Sequence, residues 1–209
     1  MVKTGIFIVI EGLDGSGKTT QANILSEKLS ENYKVLCTAE PSQGKIGSFI
    51  RNGYLYEEKR LPKEAEALLF AADRIEHVQN EIASALAEDK IVICDRYIYS
   101  SLAYQGSTGL SLDWIKTINA RALQPDFSIF IDVSPEQVLE RLQRKKSVME
   151  TLEIQQKVRE VYLKFVEKDE LILINGDKSK DDVADALYSV ILGLLKKINY
   201  QQKKEKNVV

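Results

Sequence analysis

Five short apolar runs lie along the chain, separated by longer stretches in which apolar residues recur at helical spacing. Each run is nearly continuous, whereas a strand with one exposed face would alternate apolar and polar side chains. Such runs are typical of a parallel sheet covered by helices on both faces. The sequence therefore predicts an α/β fold, a doubly wound five-stranded parallel sheet. The predicted strands are residues 6–10, 35–38, 91–94, 128–133 and 171–174.

Helical patterns fill the intervals between the strands. Ser134 and Pro135 are typical of an N-cap followed by proline at the first helical position. We expect a single domain over residues 1–198, followed by a polar, lysine-rich tail at 199–209. The predicted helices are residues 18–32, 63–89, 112–123, 135–145, 152–168 and 180–197.

The composition is that of an ordinary folded domain. With 29 basic and 31 acidic residues the formal charge is −2, so the surface lacks the positive field that non-specific binding to nucleic acid polymers needs. No apolar stretch approaches the roughly 18 to 20 residues of a membrane span, and the first strand begins too early for a signal peptide. Cys37 and Cys94 each close an apolar run and are predicted to be reduced core residues. We expect a cytoplasmic protein.

A glycine-rich loop follows the first strand and opens the first helix. It reads Gly-Leu-Asp-Gly-Ser-Gly-Lys-Thr over residues 12–19, which fits the phosphate-binding P-loop. Its backbone N–H groups can surround a phosphate at the positive end of a helix. Lys18 is expected to reach the outer phosphates, and the Thr19 hydroxyl to ligate Mg²⁺. The predicted triphosphate-binding residues are Gly12, Leu13, Asp14, Gly15, Ser16, Gly17, Lys18, Thr19 and Thr20.

A carboxylate and a guanidinium follow the third strand. Asp95 and Arg96 come directly after the run 91–94, where the carboxyl ends of parallel strands border a ligand crevice. Asp95 is in the Walker B position, from which a carboxylate orients the shell of Mg²⁺. The alternative is a surface ion pair between these two neighbours.

Two groups of residues are suited to a planar base and its phosphate. Phe70, Arg74 and His77 share one face of the predicted helix 63–89. In the alternative interpretation Phe70 belongs to the core and Arg74 is solvated; His77 is expected at the surface rather than in catalysis. A second face, at helical spacing after the third strand, can hydrogen-bond and stack on a base. It consists of Tyr97, Ser101, Tyr104 and Gln105.

A basic segment follows the fourth strand and its helix. We expect it to form a lid, at about residues 141–152, that neutralises charge during phosphoryl transfer. A solvated run of charge is the alternative. Its cations are Arg141, Arg144, Lys145 and Lys146.

Together these residues resemble the thymidylate kinase family over most of the chain. The resemblance implies an enzyme that uses ATP and Mg²⁺ to phosphorylate dTMP and that forms a homodimer. It rests on Ile-Glu-Gly-Leu-Asp-Gly-Ser-Gly-Lys-Thr-Thr-Gln at 10–21, Glu-Pro at 40–41, Leu-Phe-Ala-Ala-Asp-Arg at 69–74, Asp-Arg-Tyr at 95–97 with Ser-Ser at 100–101 and Ala-Tyr-Gln at 103–105, and Val-Arg at 158–159 with Tyr162.

The resemblance also implies roles at the acceptor base and sugar. Phe70 would stack on thymine, and Ser101 and Gln105 would lie near the polar edge of the base. Tyr104 would crowd the 2′ position and favour deoxyribose.

Further implied roles concern the acceptor phosphate. Arg74 and Arg96 would hold it, and Asp14 would face the acceptor sugar or the metal. Glu40 and Pro41 would border the acceptor pocket.

The chain departs from the family pattern at two places. Gly15-Ser16 brings no arginine into the P-loop, so Arg141 and Arg144 of the lid are the expected replacements. The usual Arg-Glu-Pro-Gly-Gly is Ala-Glu-Pro-Ser-Gln at 39–43, where substrate preference could differ. The implied catalytic residues are Lys18, Asp95, Arg96, Arg141 and Arg144.

Two other functions stay open on the sequence. Another pyrimidine nucleoside monophosphate kinase, acting on dUMP, UMP or CMP, would share the P-loop and the lid. The sequence does not guarantee strict selection of dTMP, because the methyl group of thymine is worth only about 1 to 3 kcal/mol of discrimination. A non-catalytic nucleotide switch would not need Phe70, Arg74 and Tyr104. The chain also has Ile-Asn-Gly-Asp at 174–177 in place of the Asn-Lys-x-Asp sequence that reads guanine.

Overall fold

The computed structural model describes residues 4–52, 54–56, 60–141 and 151–206. Its strands are β1 Ile6–Gly12, β2 Val35–Ala39, β3 Ile91–Asp95, β4 Phe127–Asp132 and β5 Ile172–Asn175. They form one parallel sheet in the order β2-β3-β1-β4-β5. The predicted five-stranded parallel sheet is confirmed, and each predicted strand lies within two residues of an observed one.

Helices pack on both faces of this sheet. They are α1 Lys18–Ser30, α2 Lys45–Asn52, α3 Lys63–His77, α4 Ala83–Ala87, α5 Ile98–Ser107, α6 Leu112–Ile118, α7 Pro135–Arg141, α8 Leu152–Val166 and α9 Lys180–Lys206. A π-helical turn, Val78–Ile82, joins α3 to α4, so the predicted helix 63–89 is observed as one continuous run. In the described part of the chain, no helix combines the length and the apolar character that crossing a bilayer needs.

Four helices differ from the prediction. Helix α5 was predicted only as a face at helical spacing, without bounds. Helix α2 was missed, since Gly47 lowers helix propensity; a side chain there would collide with the backbone of Ser42. Helix α6 ends at Ile118, short of the predicted residue 123, and α9 continues to Lys206, into the predicted tail.

Burial on both faces holds for the three central strands only. The side chains of β1, β3 and β4 are almost all buried, whereas β2 and β5 are sheet edges with partly exposed side chains. The prediction that Cys37 is a core residue is therefore wrong, because it lies on the edge strand β2 and is exposed. Cys94, on β3, is buried as predicted, and both cysteines are free thiols.

The strand order places a crevice at the carboxyl end of β1. Strand β1 pairs with β3 on one side and with β4 on the other. The chain leaves β1 through α1 for β2, which lies beyond β3, and later returns to β4 on the opposite side. Ligands of open α/β sheets bind where the connections diverge in this way. The P-loop follows β1 and Asp95 ends β3, so both predicted motifs meet at this crevice.

Candidate active site

The P-loop has a backbone that only glycine adopts readily. Gly12 has a φ of 157°, and a Cβ atom there would lie 2.6 Å from Ser16 Oγ and 2.8 Å from the carbonyl oxygen of Ile131. Gly17, at the N-cap of α1, is left-handed with a φ of 89°. The loop therefore curls back at the start of α1, where free backbone N–H groups and the helix dipole favour an anion.

Lys18 is buried inside this loop. Its Nζ donates to the carbonyl oxygen of Leu13 at 2.6 Å. Burial lowers the pKa of Lys18 to about 8, assisted by the charge of Arg96 and opposed by nearby carboxylates. A bound polyphosphate would supply the negative charge that this desolvated ammonium needs.

Thr19 and Asp95 form a pair suited to a divalent cation. The Thr19 hydroxyl donates to Asp95 Oδ2 at 2.5 Å, while Oδ1 is buried and has no hydrogen-bond partner among the described residues. Hard oxygen atoms of this kind, completed by water and phosphate oxygens, are typical Mg²⁺ ligands. The described residues contain no cluster of three or more His, Cys, Asp or Glu side chains that could hold a metal ion by themselves. The alternative surface pair between Asp95 and Arg96 is not formed, because each side chain has another partner.

Arg96 joins helix α5 to the P-loop. Its Nη2 donates to Asp14 Oδ1 at 2.5 Å, and its guanidinium lies 4.9 Å from the centre of the Tyr104 ring. Tyr104 donates to Asp14 Oδ2 and accepts from the Asp14 backbone N–H, both at 3.0 Å. Burial acts to raise the pKa of Asp14, but the charges of Arg96 and Lys18 outweigh it and lower the pKa. Arg96 has a φ of 71°, a strained conformation of the kind that is concentrated at functional sites.

Arg74 is buried deeper in the crevice, so the alternative that it is solvated is wrong. It donates to Glu40 Oε2 at 2.7 Å, to Asn119 Oδ1 at 2.5 Å and to the carbonyl oxygen of Tyr97 at 2.8 Å. Both terminal nitrogens lie 3.2 Å from Ser101 Oγ. Arg74 thus fixes Ser101 and Glu40, and its predicted contact with the acceptor phosphate stays a prediction.

Replacing Arg74 with methionine is expected to lower the free energy of unfolding by about 3 to 5 kcal/mol, because Glu40 is left as a buried charge without its main partner. The midpoint of urea denaturation measures this loss. The matched control is Lys157→Met, which breaks the exposed pair with Glu153 and should leave the midpoint unchanged. Equal midpoints for both variants would show that the buried pair contributes nothing.

The prediction that His77 lies at the surface is wrong. His77 is buried, and its ring nitrogens lie 3.3 Å from Glu40 Oε1, 3.0 Å from Glu81 Oε2 and 2.9 Å from Thr38 Oγ1. Burial acts to lower its pKa, but the hydrogen bond and charge of Glu40, with Glu81 and Asp73, raise it on balance. His77 therefore contacts one carboxylate oxygen of Glu40, Oε1, while Arg74 donates to the other, Oε2.

The residues expected around the base lie on α3 and α5, which pack together. Phe70 is half-buried and lies outside the main hydrophobic cluster, so the alternative that it is a core residue is wrong. Gln105 is buried, with its amide nitrogen 3.5 Å from Glu66 Oε1. Pro41 precedes a turn that Arg51 holds by donating to the Pro41 carbonyl oxygen at 2.5 Å. Tyr97 is fully buried beneath Arg74 and packs against Phe7, so it supports the pocket from behind.

The predicted lid lies largely outside the described residues. Arg141 ends α7, is exposed and donates to Gln137 at 3.1 Å. Arg144, Lys145 and Lys146 lie outside the described residues, so the lid stays a prediction.

Sequence reasoning missed several side chains that hold this site. Asn119 anchors Arg74 from 45 residues away, and Arg51 shapes the turn after Pro41 from a helix that was not predicted. Glu11 and Ser100 lie inside the family motifs at 10–21 and 100–101, but no local pattern shows that Ser100 donates a hydrogen bond to Glu11. Their contacts depend on the tertiary fold.

Comparison with known proteins agrees with this geometry. The family model described as thymidylate kinase matches residues 10–187, a range that contains the P-loop, Asp95 and the α3–α5 pocket. A probable thymidylate kinase of Pyrococcus horikoshii is 45% identical over 196 residues, covering 90% of this chain and 96% of the relative. One from Pyrococcus abyssi is 43% identical with the same coverage, and one from Methanococcus vannielii is 46% identical over 77% of this chain and 78% of its own length. The matched range thus contains the phosphate loop, the contact between Thr19 and Asp95, and the pocket residues of α3 and α5, and the chain belongs to the thymidylate kinase family.

Proposed function

We propose that this chain transfers the γ-phosphoryl group of ATP to dTMP, forming dTDP and ADP. The observation that carries the proposal is the ion pair between Arg96 and Asp14, which brings an acceptor-side cation into contact with the donor loop. A switch that binds only one nucleotide has no need for an ion pair between an acceptor-side cation and the donor loop. The relatives' names support dTMP as the acceptor.

The acceptor requires little activation. The second pKa of a phosphate monoester is about 6, so dTMP is largely dianionic at neutral pH and already nucleophilic. The residues must therefore reduce repulsion between two polyanions and align the reacting atoms. Lys18 holds the donor phosphates, and Arg96 places the acceptor phosphate opposite them. Arg141 and Arg144 are proposed to complete this neutralisation from the lid.

We assign the coordination of Mg²⁺ to Thr19 and Asp95. The Oδ1 atom of Asp95, which has no hydrogen-bond partner among the described residues, supports the assignment. Held by these two residues, Mg²⁺ would supply positive charge that offsets the negative charge of the transferred phosphoryl group. Asp14 orients Arg96 and Tyr104, so that Tyr104 borders the acceptor sugar. Phe70 is proposed to stack on thymine, with Ser101 and Gln105 at its polar edge. A cytoplasmic location stays a prediction.

The proposal is tested by following ADP release with and without dTMP. We expect release to depend strictly on dTMP, because the acceptor completes the transfer site. ADP release at the same rate without dTMP would indicate a nucleotide switch or an ATPase instead.

ATP binding is expected to take up a proton above pH 8. With a pKa of about 8, Lys18 of the free protein loses its charge as the pH rises, and a bound triphosphate restores it. The Kd for ATP should therefore rise by up to about tenfold per pH unit above pH 8. Calorimetry at pH 9 in two buffers of different ionisation enthalpy measures the uptake. In Lys18→Arg, which keeps its charge throughout, the uptake should disappear; uptake that persists there belongs to another group.

We also propose a homodimer that covers one face of α3. Leu68 and Ile75, seven residues apart on this helix, are 49% and 37% exposed, and Leu61 just before it is 44% exposed. A row of exposed large apolar side chains is typical of a protein interface. We expect light scattering to report a dimer for the natural sequence and a monomer for Leu68→Glu. The control Leu152→Glu changes a leucine that is 41% exposed but lies on α8, outside this row, and should stay dimeric; a dimeric Leu68→Glu would exclude this face.

A further inference from the structure

Glu11 is a buried carboxylate with no role in the phosphoryl transfer proposed for this chain. It lies in β1, one residue before the P-loop glycine Gly12, and is completely shielded from solvent. Oε1 accepts from the backbone N–H groups of Tyr97 at 2.9 Å and Ser100 at 3.2 Å. Oε2 accepts from Ser100 Oγ at 2.6 Å and from the Tyr162 hydroxyl at 3.0 Å. Four donors from β3–α5 and α8 thus converge on one side chain of β1.

These contacts fix the direction of the Ser100 hydroxyl. A carboxylate only accepts hydrogen bonds, and a serine hydroxyl has one proton to donate. Because that proton points to Glu11, the Ser100 lone pairs are free to accept, and Arg96 Nη1 donates to them at 3.0 Å. Burial raises the pKa of Glu11, while the four donors favour its ionised form.

We propose that Glu11 is a positioning residue, which sets the polarity of Ser100 and thereby holds the Arg96 fork toward the acceptor phosphate. This inference rests on the proposed function, since it concerns how dTMP is gripped. Asp14 holds one terminal nitrogen of Arg96 from the donor loop, and Ser100 holds the other from α5. With both nitrogens fixed, the arginine needs no reorganisation when dTMP arrives.

Glu11→Gln keeps the shape and tests the polarity. Its amide oxygen can still accept from the two backbone N–H groups, but its NH₂ group then faces the hydroxyls of Ser100 and Tyr162 and cannot accept from them. The Ser100 hydroxyl then loses the acceptor for its proton. If that proton turns toward Arg96, it opposes the hydrogen bond that Arg96 Nη1 donates to Ser100 Oγ. We expect the KM for dTMP to rise about tenfold, with the KM for ATP within about twofold of the natural value.

Ser100 provides the matched variants. Ser100→Ala should raise the KM for dTMP about as much as Glu11→Gln, and the double variant should be no worse than either, because both act through one contact. Ser100→Thr keeps the hydroxyl and should restore most of the affinity. These two variants test the contact between Ser100 and Arg96 even if Glu11→Gln fails to fold.

The contrary results are distinct. If the unaltered chain forms no dTDP, the proposed function fails. If it does, but Glu11→Gln keeps its KM for dTMP, or the two losses add, or both substrates are affected equally with a lowered melting temperature, then Glu11 is a structural residue only and the inference is overturned.

Discussion

Replacing Lys18 with methionine is expected to lower kcat by at least about a thousandfold, because preorganised charge at the transferred group is usually the largest catalytic contribution. Lys18 is the only cation in the loop 12–19, and Gly15-Ser16 supplies no arginine to substitute for it. Its buried Nζ donates a hydrogen bond to the carbonyl oxygen of Leu13, and we expect a phosphate oxygen to replace that carbonyl when ATP binds. Steady-state kinetics with saturating ATP and dTMP measure the loss.

The control for this variant is Lys28→Met on the same helix, α1. Lys28 pairs with Asp185 at the surface, so its loss should leave turnover intact. The melting temperature of Lys18→Met should be unchanged or higher, since burial disfavours the charged ammonium that the variant removes. Turnover within about tenfold of the natural value in a folded Lys18→Met variant would be incompatible with the P-loop assignment.

Replacing Arg96 with lysine is expected to lower kcat/KM for dTMP by about a hundredfold or more, because a single ammonium cannot replace the two-pronged contact of a guanidinium. The structure shows that fork held at both ends, by Asp14 and Ser100, and stacked on Tyr104. Lysine keeps the charge and can be compared at the same strained backbone position. The loss should be large for dTMP and small for the KM of ATP.

Arg96→Ala extends this comparison, and we expect it to be at least as impaired as Arg96→Lys. Arg121→Ala, at an exposed position after α6, is the matched control and should have ordinary kinetics. If Arg96→Lys and the control were indistinguishable, the acceptor phosphate would have to be bound elsewhere.

The parts of the fold that local pattern determines could be predicted from the sequence. Strand β1 and the P-loop could be predicted because neighbouring residues determine both. An apolar run predicts the strand, and the glycines that follow it directly predict the loop. The alternation of strands and helices likewise restricts the chain to a parallel sheet. Which strands lie at the edges is a property of strand order, and therefore Cys37 was wrongly placed in the core.

The interior of the site depends on partners that are distant in the sequence. The buried ring of His77 lies within hydrogen-bonding distance of Thr38 in β2 and of Glu40 directly after it. Arg74 is the centre of a buried network with Glu40 and Asn119, and not the solvated cation of the alternative interpretation. An isolated helix face cannot reveal either partner, since helical periodicity reports only which residues share a face.

The most direct test of the central claim is a panel of nucleoside monophosphates, with kcat/KM determined for each under ATP and Mg²⁺ and the product identified. We predict that dTMP is the preferred acceptor and yields dTDP, with dUMP lower by about 10- to 200-fold for the missing methyl group. UMP should be weaker still if Tyr104 crowds the 2′ position. A higher kcat/KM for dUMP, UMP or CMP, or no diphosphate product from dTMP, would contradict the assignment of this chain as a dTMP kinase.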